Sequence, residues 1–430
     1  MIFTAILLQH LFLLLVANRQ NIGKMYSSIT QYEPLFPART GELEDLAREI
    51  VAASARLEGR LAPVVLEEIK KLLRVINSYY SNLIEGHSIH PIDVERAMKN
   101  AYSSDRDKRD LQIESLIHIE VQEKIIERLS SEPETNVVSK DFLLWIHENF
   151  YEKLPERLRY VTGGSGEIAF VEAGKLREGF VEVGRHLPPA PESLDAFLAR
   201  FEEVYNPAKM HGLRPIIALA AAHHRLMWIH PFLDGNGRVA RLFTDAYFTK
   251  IGLGGYGLWN VSRGLARRRD DYHAFMAAAD FQRENDLDGR GNLSDRTLTE
   301  FCRFFLEICL DQAEYMNNLL ALDNFLERLE KYVALRNAGL IGDEKGQSLP
   351  ALHPRTAEVL KTLAIRGEMP RGEVSQIIKM SERTGRNILK ELINEGLILT
   401  RSEKGAIRLG FPAAAAGYWF PDLYPNEARR

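Results

Sequence analysis

The chain has 430 residues, 45% hydrophobic and 27% charged, a balance that suits two or three packed globular units and excludes a fibrous or wholly disordered protein. Its formal net charge of −4 is too small for this length to imply binding of nucleic acid or membrane by the molecule as a whole, so any such patch has to be local. The two cysteines, Cys302 and Cys309, are seven residues apart in one helical pattern. That spacing is about 10 Å along a helix axis, too far for a disulfide and in keeping with a reducing compartment.

Residues 1–17 are an apolar run broken by Gln9 and His10. The run is shorter than the roughly 20 residues of a spanning helix and lacks the basic start of a signal peptide. With Met25 as another beginning, residues 1–24 read as an extension from a misplaced start codon, the alternative being a real anchor or export segment. A cytoplasmic protein without membrane attachment is expected.

A helical region covers 25–130. Within it, a helix from about Val64 to Glu85 carries Leu66, Ile69, Leu73, Ile76, Tyr80 and Leu83 at steps of three and four, and Gly86 stops it. Its last turn, Ser81-Asn82-Leu83-Ile84-Glu85-Gly86, puts Ser81 and Glu85 on one face. Taken alone, that string is commonplace. Further helices are expected at about 111–129 and 139–151. Gly163-Gly164-Ser165-Gly166 then breaks the helical period, and residues 168–171 and 179–184 read as short extended pieces between glycines.

Pro215 opens an alanine-rich helix through Ile229, and Val239–Ile251 reads as another, stopped by Gly252. The corner between them is His230-Pro231-Phe232-Leu233-Asp234-Gly235-Asn236-Gly237-Arg238-Val239-Ala240-Arg241. Gly235 and Gly237 allow a sharp turn whose N–H groups converge at a helix start, where the dipole also favours an anion. A histidine just ahead of this cradle suits proton removal from a hydroxyl, best with a pKa near neutrality, and Asp234 suits a divalent metal. Arg238 and Arg241, about one turn apart, suit phosphate oxygens.

Two other patterns carry no such chemistry. Gly252-Leu253-Gly254-Gly255-Tyr256-Gly257 spells a dinucleotide fingerprint but follows a helix rather than a strand. His223, His224 and His230 lack zinc-site spacing, and His223 reads as a satisfied core histidine. Tyr272, at a helix start, reads by position as core. A polar loop at 286–294 precedes a long helical stretch, 298–329, with Phe301, Phe304 and Phe305 as apolar contacts.

Residues 336–350 read as a linker. Beyond it, helices at 355–365, 371–379 and 381–394, the last capped by Ser381, and a hairpin at 397–409 spell a winged helix-turn-helix over 351–411. That stretch holds eleven Lys/Arg against seven Glu, a net of +4. Arg383, Arg386, Asn387 and Lys390 on the third helix suit DNA in a major groove, although such modules also bind proteins or dimerise. A tail, 412–430, is expected to pack back on the body through Trp419-Phe420-Pro421.

The run 230–241 resembles the signature of Fic-domain proteins, His-Pro-Phe-x-(Asp/Glu)-Gly-Asn-(Gly/Lys)-Arg-x-x-Arg, at all nine defined positions. The string 81–86 resembles their inhibitory motif, (Ser/Thr)-x-x-x-Glu-(Gly/Asn), and Gly184-Arg185-His186-Leu187-Pro188-Pro189 also fits the family. The resemblance implies a mainly α protein: a Fic-type helical core over 131–335 with a small β-hairpin flap, followed by the winged helix-turn-helix. It implies transfer of AMP from ATP to a Tyr, Thr or Ser hydroxyl of a target protein, with release of pyrophosphate. His230 would be the base and Asp234 the Mg²⁺ ligand. The nucleotide set would be Gly235, Asn236, Gly237, Arg238, Val239, Ala240, Arg241 and Tyr272, with Arg177, Phe180 and Val181 over the phosphates. Ser81 and Glu85 would be inhibitory, Glu85 pairing with Arg241 where the γ-phosphate binds. Self-modification in a homodimer is compatible with this reading. The alternatives are removal of AMP by water that Glu85 orients, and a DNA-binding regulator for which bound nucleotide is the signal.

Overall fold

Prolines and small polar caps set several of the helix starts among the described residues. The computed structural model describes residues 26–163, 166–342 and 347–425. The chain runs through α1 (Gly41–Leu57), α2 (Pro63–Ile84), α3 (Pro91–Met98), α4 (Arg106–Ser131) and α5 (Lys140–Tyr151) to a hairpin of β1 (Tyr160–Thr162) and β2 (Ile168–Phe170). Then come α6 (Leu194–Tyr205), α7 (Arg214–Ile229), α8 (Asn236–Lys250), α9 (Val261–Arg267), α10 (Arg269–Ala278), α11 (Asp295–Leu319) and α12 (Leu322–Asn337). The C-terminal part holds α13 (Thr356–Arg366), β3 (Glu368–Met369), α14 (Glu373–Ile377), α15 (Glu382–Asn394), β4 (Ile398–Thr400), β5 (Ile407–Leu409) and α16 (Ala413–Trp419). Proline sits in the first turn of α2, α3 and α7, where its missing N–H costs nothing. Ser139, Asn260, Ser294 and Ser381 cap α5, α9, α11 and α15 with side-chain oxygens.

The architecture is mainly α with two small antiparallel sheets. Helix α7, apolar on nearly every side, is the central rod, packed by α6, α8 and α11. Helix α2 lies against α4 and α9, and α8 lies against α4, α5 and α7, so α2 and α4 deliver side chains to the start of α8. Among the described residues no helix is long and apolar enough to cross a membrane. The apolar extension at 1–24 lies outside the described residues.

Several boundaries differ from the expectations. Helix α4 begins at Arg106 because the Asp105 side chain accepts from the Lys108 N–H (2.8 Å). The stretch 298–329 is two helices. α11 ends at Leu319, and Arg328 from α12 donates to that residue's carbonyl and to Trp419 O, satisfying the end of the first helix. The partner of residues 168–170 in the hairpin is 160–162, while 179–184 stays irregular apart from a bridge between Val183 and His186. The start and end of the expected linker at 336–350 are tied to folded elements. Arg336 is buried and donates to Glu395 (2.8 Å) and to Pro350 O (3.0 Å). Residues 343–346 lie outside the described residues.

In the C-terminal part, the helices α13, α14 and α15 pack with a three-stranded sheet of order β3-β5-β4, which includes one strand, β3, that the sequence pattern did not suggest. This unit and the tail are fastened to α2 and α3. Arg408 on β5 pairs with Glu68 (3.2 Å), the Tyr80 hydroxyl donates to Leu423 O (3.0 Å), and the Ala413 N–H donates to Glu95 (2.6 Å). Trp419, fully buried, meets Tyr332 and Phe411 edge-on at 5.6 Å. Trp419→Ala is expected to cost about 3–5 kcal/mol in denaturant unfolding; a loss within about 0.5 kcal/mol, typical of a surface site, would contradict this packing.

Candidate active site

The corner between α7 and α8 rests on a backbone conformation that histidine seldom adopts. His230 caps α7 in the left-handed region (φ 48°, ψ 61°), and Gly235 (φ 80°) caps the start of α8. Arg177 fixes the first turn. Its guanidinium donates to the carbonyls of His230 (2.8 Å), Gly179 (3.1 Å) and Pro189 (2.5 Å), and its backbone N–H donates to Pro231 O (2.9 Å). Asn236 cross-ties the loop, accepting from the Phe232 N–H (3.0 Å) and donating to Phe232 O (2.8 Å). Phe232 stacks on the His147 ring with centroids 4.1 Å apart, an anchor rather than a chemical group. A Cβ on Gly235 would lie 2.6 Å from the Tyr151 ring, so only glycine fits there.

Two cations are buried at the start of α8, and each is met by a carboxylate from another part of the chain. Arg241 Nη2 pairs with Glu85 at 2.5 Å, and its guanidinium also donates to the Ser81 hydroxyl (2.9 Å) and the Ser81 carbonyl (3.1 Å). Glu85 caps the end of α2 and rests on the first turn of α8: a Cβ on Gly237 would lie 2.3 Å from its Oε1. The carboxylate thus lies against the first turn of α8 and one arginine. Burial opposes its ionisation, but Arg241 and then Arg238 outweigh burial and hold it below the usual carboxylate range. Arg238 Nη2 pairs with Glu114 of α4 at 2.5 Å, and His87 Nδ1 lies 2.9 Å from that carboxylate. Despite burial, Arg238 and His87 hold the Glu114 carboxyl down to about 2.

His230 and Asp234 lie on the same corner. The His230 Nδ1 is 3.3 Å from Met227 O, the arrangement of an Nδ1–H donor that leaves Nε2 as the acceptor. Burial, aided by the charges of Arg177 and His186, pushes the His230 pKa down to about 3, so the near-neutral value expected for a base is corrected. Asp234 accepts from the Tyr151 hydroxyl (2.6 Å) and stays partly exposed, with Arg238 Nη1 4.0 Å from its Oδ2. The Tyr272 hydroxyl lies 2.8 Å from His223 Nε2, and His223 Nδ1 lies 2.8 Å from the Thr244 hydroxyl, a buried relay behind Arg241.

Some expected members have other positions. Val239 and Ala240 are core residues. The Val239 N–H is spent on Gly235 O (2.9 Å) and the Ala240 carbonyl accepts from Thr244, so the donors of the cradle are the N–H groups of 236–238. The Asn236 side chain is spent on Phe232. Arg177 is bound up in carbonyls rather than set over a phosphate position, while Phe180 and Val181 line a cleft with Leu233, Val161 and Ala169 beside the hairpin. Glu114, His87 and Tyr151 join the site without having been singled out in the sequence.

Residues 137–248 match the model of the Fic/DOC family, so the chain carries a Fic domain. Over 87 residues it is 39% identical to the protein adenylyltransferase Fic of Drosophila mojavensis and equally to that of Drosophila grimshawi. Those matches cover 20% of this chain and 17% and 18% of those proteins, so it spans less than a fifth of the curated relatives' length. The fold is shared with a crystal structure of a Fic family protein from Desulfovibrio desulfuricans G20, at a TM-score of 0.50 and 19% identity, covering 86% of this chain and 97% of that one.

Because the His230 pKa is lowered, its neutral form persists as the pH falls below the ordinary 6.5. NMR of the ligand-free protein is expected to show no titration of this ring between about pH 5 and 8. A midpoint near 6.5 would contradict the burial described here.

Proposed function

We propose that this chain is a protein adenylyltransferase held back by Glu85. The observation that carries the reading is the Glu85 carboxylate seated against both Gly237 and Arg241, an anion of the protein's own in the cradle where a nucleotide phosphate would bind. In the reaction, His230 Nε2 accepts the proton of a Tyr, Thr or Ser hydroxyl of the target protein. The hydroxyl oxygen forms a bond to the α-phosphorus of ATP, the bond to the bridging oxygen breaks, and pyrophosphate leaves. The N–H groups of 236–238 offset charge on the transferring group, and Arg238 and Arg241 hold the leaving phosphates once Glu85 withdraws. His230 starts neutral and ready to accept. The donor set fits Mg²⁺ that arrives with the nucleotide: one partly exposed carboxylate, Asp234, with phosphate oxygens completing the shell. The ion would supply charge to steady the α- and β-phosphates.

Glu85→Gly is expected to raise transfer of AMP from ATP into protein, read by mass spectrometry of the modified hydroxyl. Adding His230→Ala to that variant should lower the rate about 10²–10⁴-fold while ATP still binds. Equal activity of Glu85→Gly and wild type, or an unchanged rate without His230, would overturn the proposal.

A second reading concerns residues 351–411, read as a winged helix. Arg383, Arg386, Asn387 and Lys390 are all exposed along α15, with Arg386 paired at the surface to Glu382 (3.2 Å), whereas Arg408 and Lys361 reach across to Glu68 and Glu330. That stripe supports contact with duplex DNA. Binding should weaken steeply with salt and fall further in Arg383→Ala/Arg386→Ala; salt-independent or absent binding would remove this reading.

A further inference from the structure

The two carboxylates that meet the arginines of α8 are built differently, and the difference separates their tasks. Glu85 has a side chain 30% exposed, sits at a helix end and lies over the cradle, where an incoming phosphate would displace it. Glu114 has a side chain 7% exposed, sits in the body of α4 and reaches Arg238 from behind. Its Oε1 takes Nη2 of Arg238 at 2.5 Å, and its Oε2 is 2.9 Å from His87 Nδ1. The same guanidinium turns Nη1 towards Asp234 at 4.0 Å, has the Phe150 ring 5.5 Å from its carbon, and leaves Nε with no hydrogen-bond partner among the described residues. A buried carboxylate is costly to desolvate unless paired, and this one fixes one edge of a cation whose other edge faces Asp234.

We infer that Glu114 is a positioning residue for Arg238: it holds the guanidinium in the orientation that receives the β- and γ-phosphates of ATP. Glu85 is a removable stopper, and Glu114 is a fixed brace. His87, two residues after Glu85, ties the brace to the end of α2, so both arginines are indexed to the helix that carries the inhibitory residues. This inference rests on the nucleotide reading above and predicts opposite effects for the two carboxylates.

The test is calorimetric binding of ATP and of AMP, which lacks the β- and γ-phosphates, to the full chain carrying Glu85→Gly. Adding Glu114→Gln, which keeps the shape and removes the charge, should weaken ATP about tenfold, the scale of a lost hydrogen bond to a charged group, and leave AMP unchanged. Arg238→Ala should weaken ATP at least as much, and the combination of Glu114→Gln with Arg238→Ala should be no weaker than Arg238→Ala alone. ATP binding unaffected or tightened by Glu114→Gln, losses that add, or parallel loss of AMP would each overturn the inference. If Glu85→Gly itself binds no ATP, the nucleotide reading fails, and the inference with it.

Discussion

Two guanidinium groups buried at the positive end of a helix cannot stand without anions, and much of the site is arranged around that constraint. The free N–H groups at the start of α8, the helix dipole and the charges of Arg238 and Arg241 all have one sign. Water is largely excluded, so the field is met either by the protein's own carboxylates or by a ligand. Here Glu85 from α2 and Glu114 from α4 supply the charge. The packing of α2 and α4 against the body therefore serves the electrostatics of α8 as well as the core. Under the proposed function a nucleotide triphosphate would take over the part Glu85 plays, while Glu114 stays on Arg238.

Helix α2 is also where the C-terminal unit is fastened. Arg408 holds Glu68 near its start, the tail accepts from Tyr80 one turn before Glu85, and Ala413 is tied to Glu95 on the following helix. The end of α2 that carries Ser81 and Glu85 thus contacts both the 230–241 corner and, through Tyr80, the C-terminal tail. His230 shows the same economy at smaller scale. Its left-handed turn is stabilised by Arg177, whose three carbonyl partners gather the segment 179–189 around the corner.

Much of this was legible in the sequence because it is local. The corner 230–241 is a contiguous string whose glycines, histidine and arginines have fixed offsets, and α2 announces itself by apolar spacing with Gly86 at its end. What escaped was non-local. Glu114, His118 and Gln122 recur at i, i+4 on a face of α4 that is buried, a polar stripe that periodicity alone flags, but its partner Arg238 is more than a hundred residues away. The strand 160–162 that pairs with 168–170 escaped because glycine-bounded extended pieces do not say which segment they meet, and Arg177 claims the 179–189 segment for carbonyl contacts. The near-neutral expectation for His230 failed because burial and the nearby guanidinium come from tertiary packing. Val239 and Ala240, which the resemblance places in the nucleotide set, add no free N–H to the cradle, because in a helix capped at Gly235 the N–H of Val239 already closes on Gly235 O.

The claim that AMP is the group transferred is tested most directly by incubating Glu85→Gly with ATP labelled on the α-phosphate and, in parallel, on the γ-phosphate. Protein labelled from the α position and not from the γ position is the predicted result, with the γ label recovered in pyrophosphate. Incorporation of the γ label would mean phosphoryl transfer. No incorporation of either label across candidate targets and the chain itself would contradict a nucleotide-transferring site.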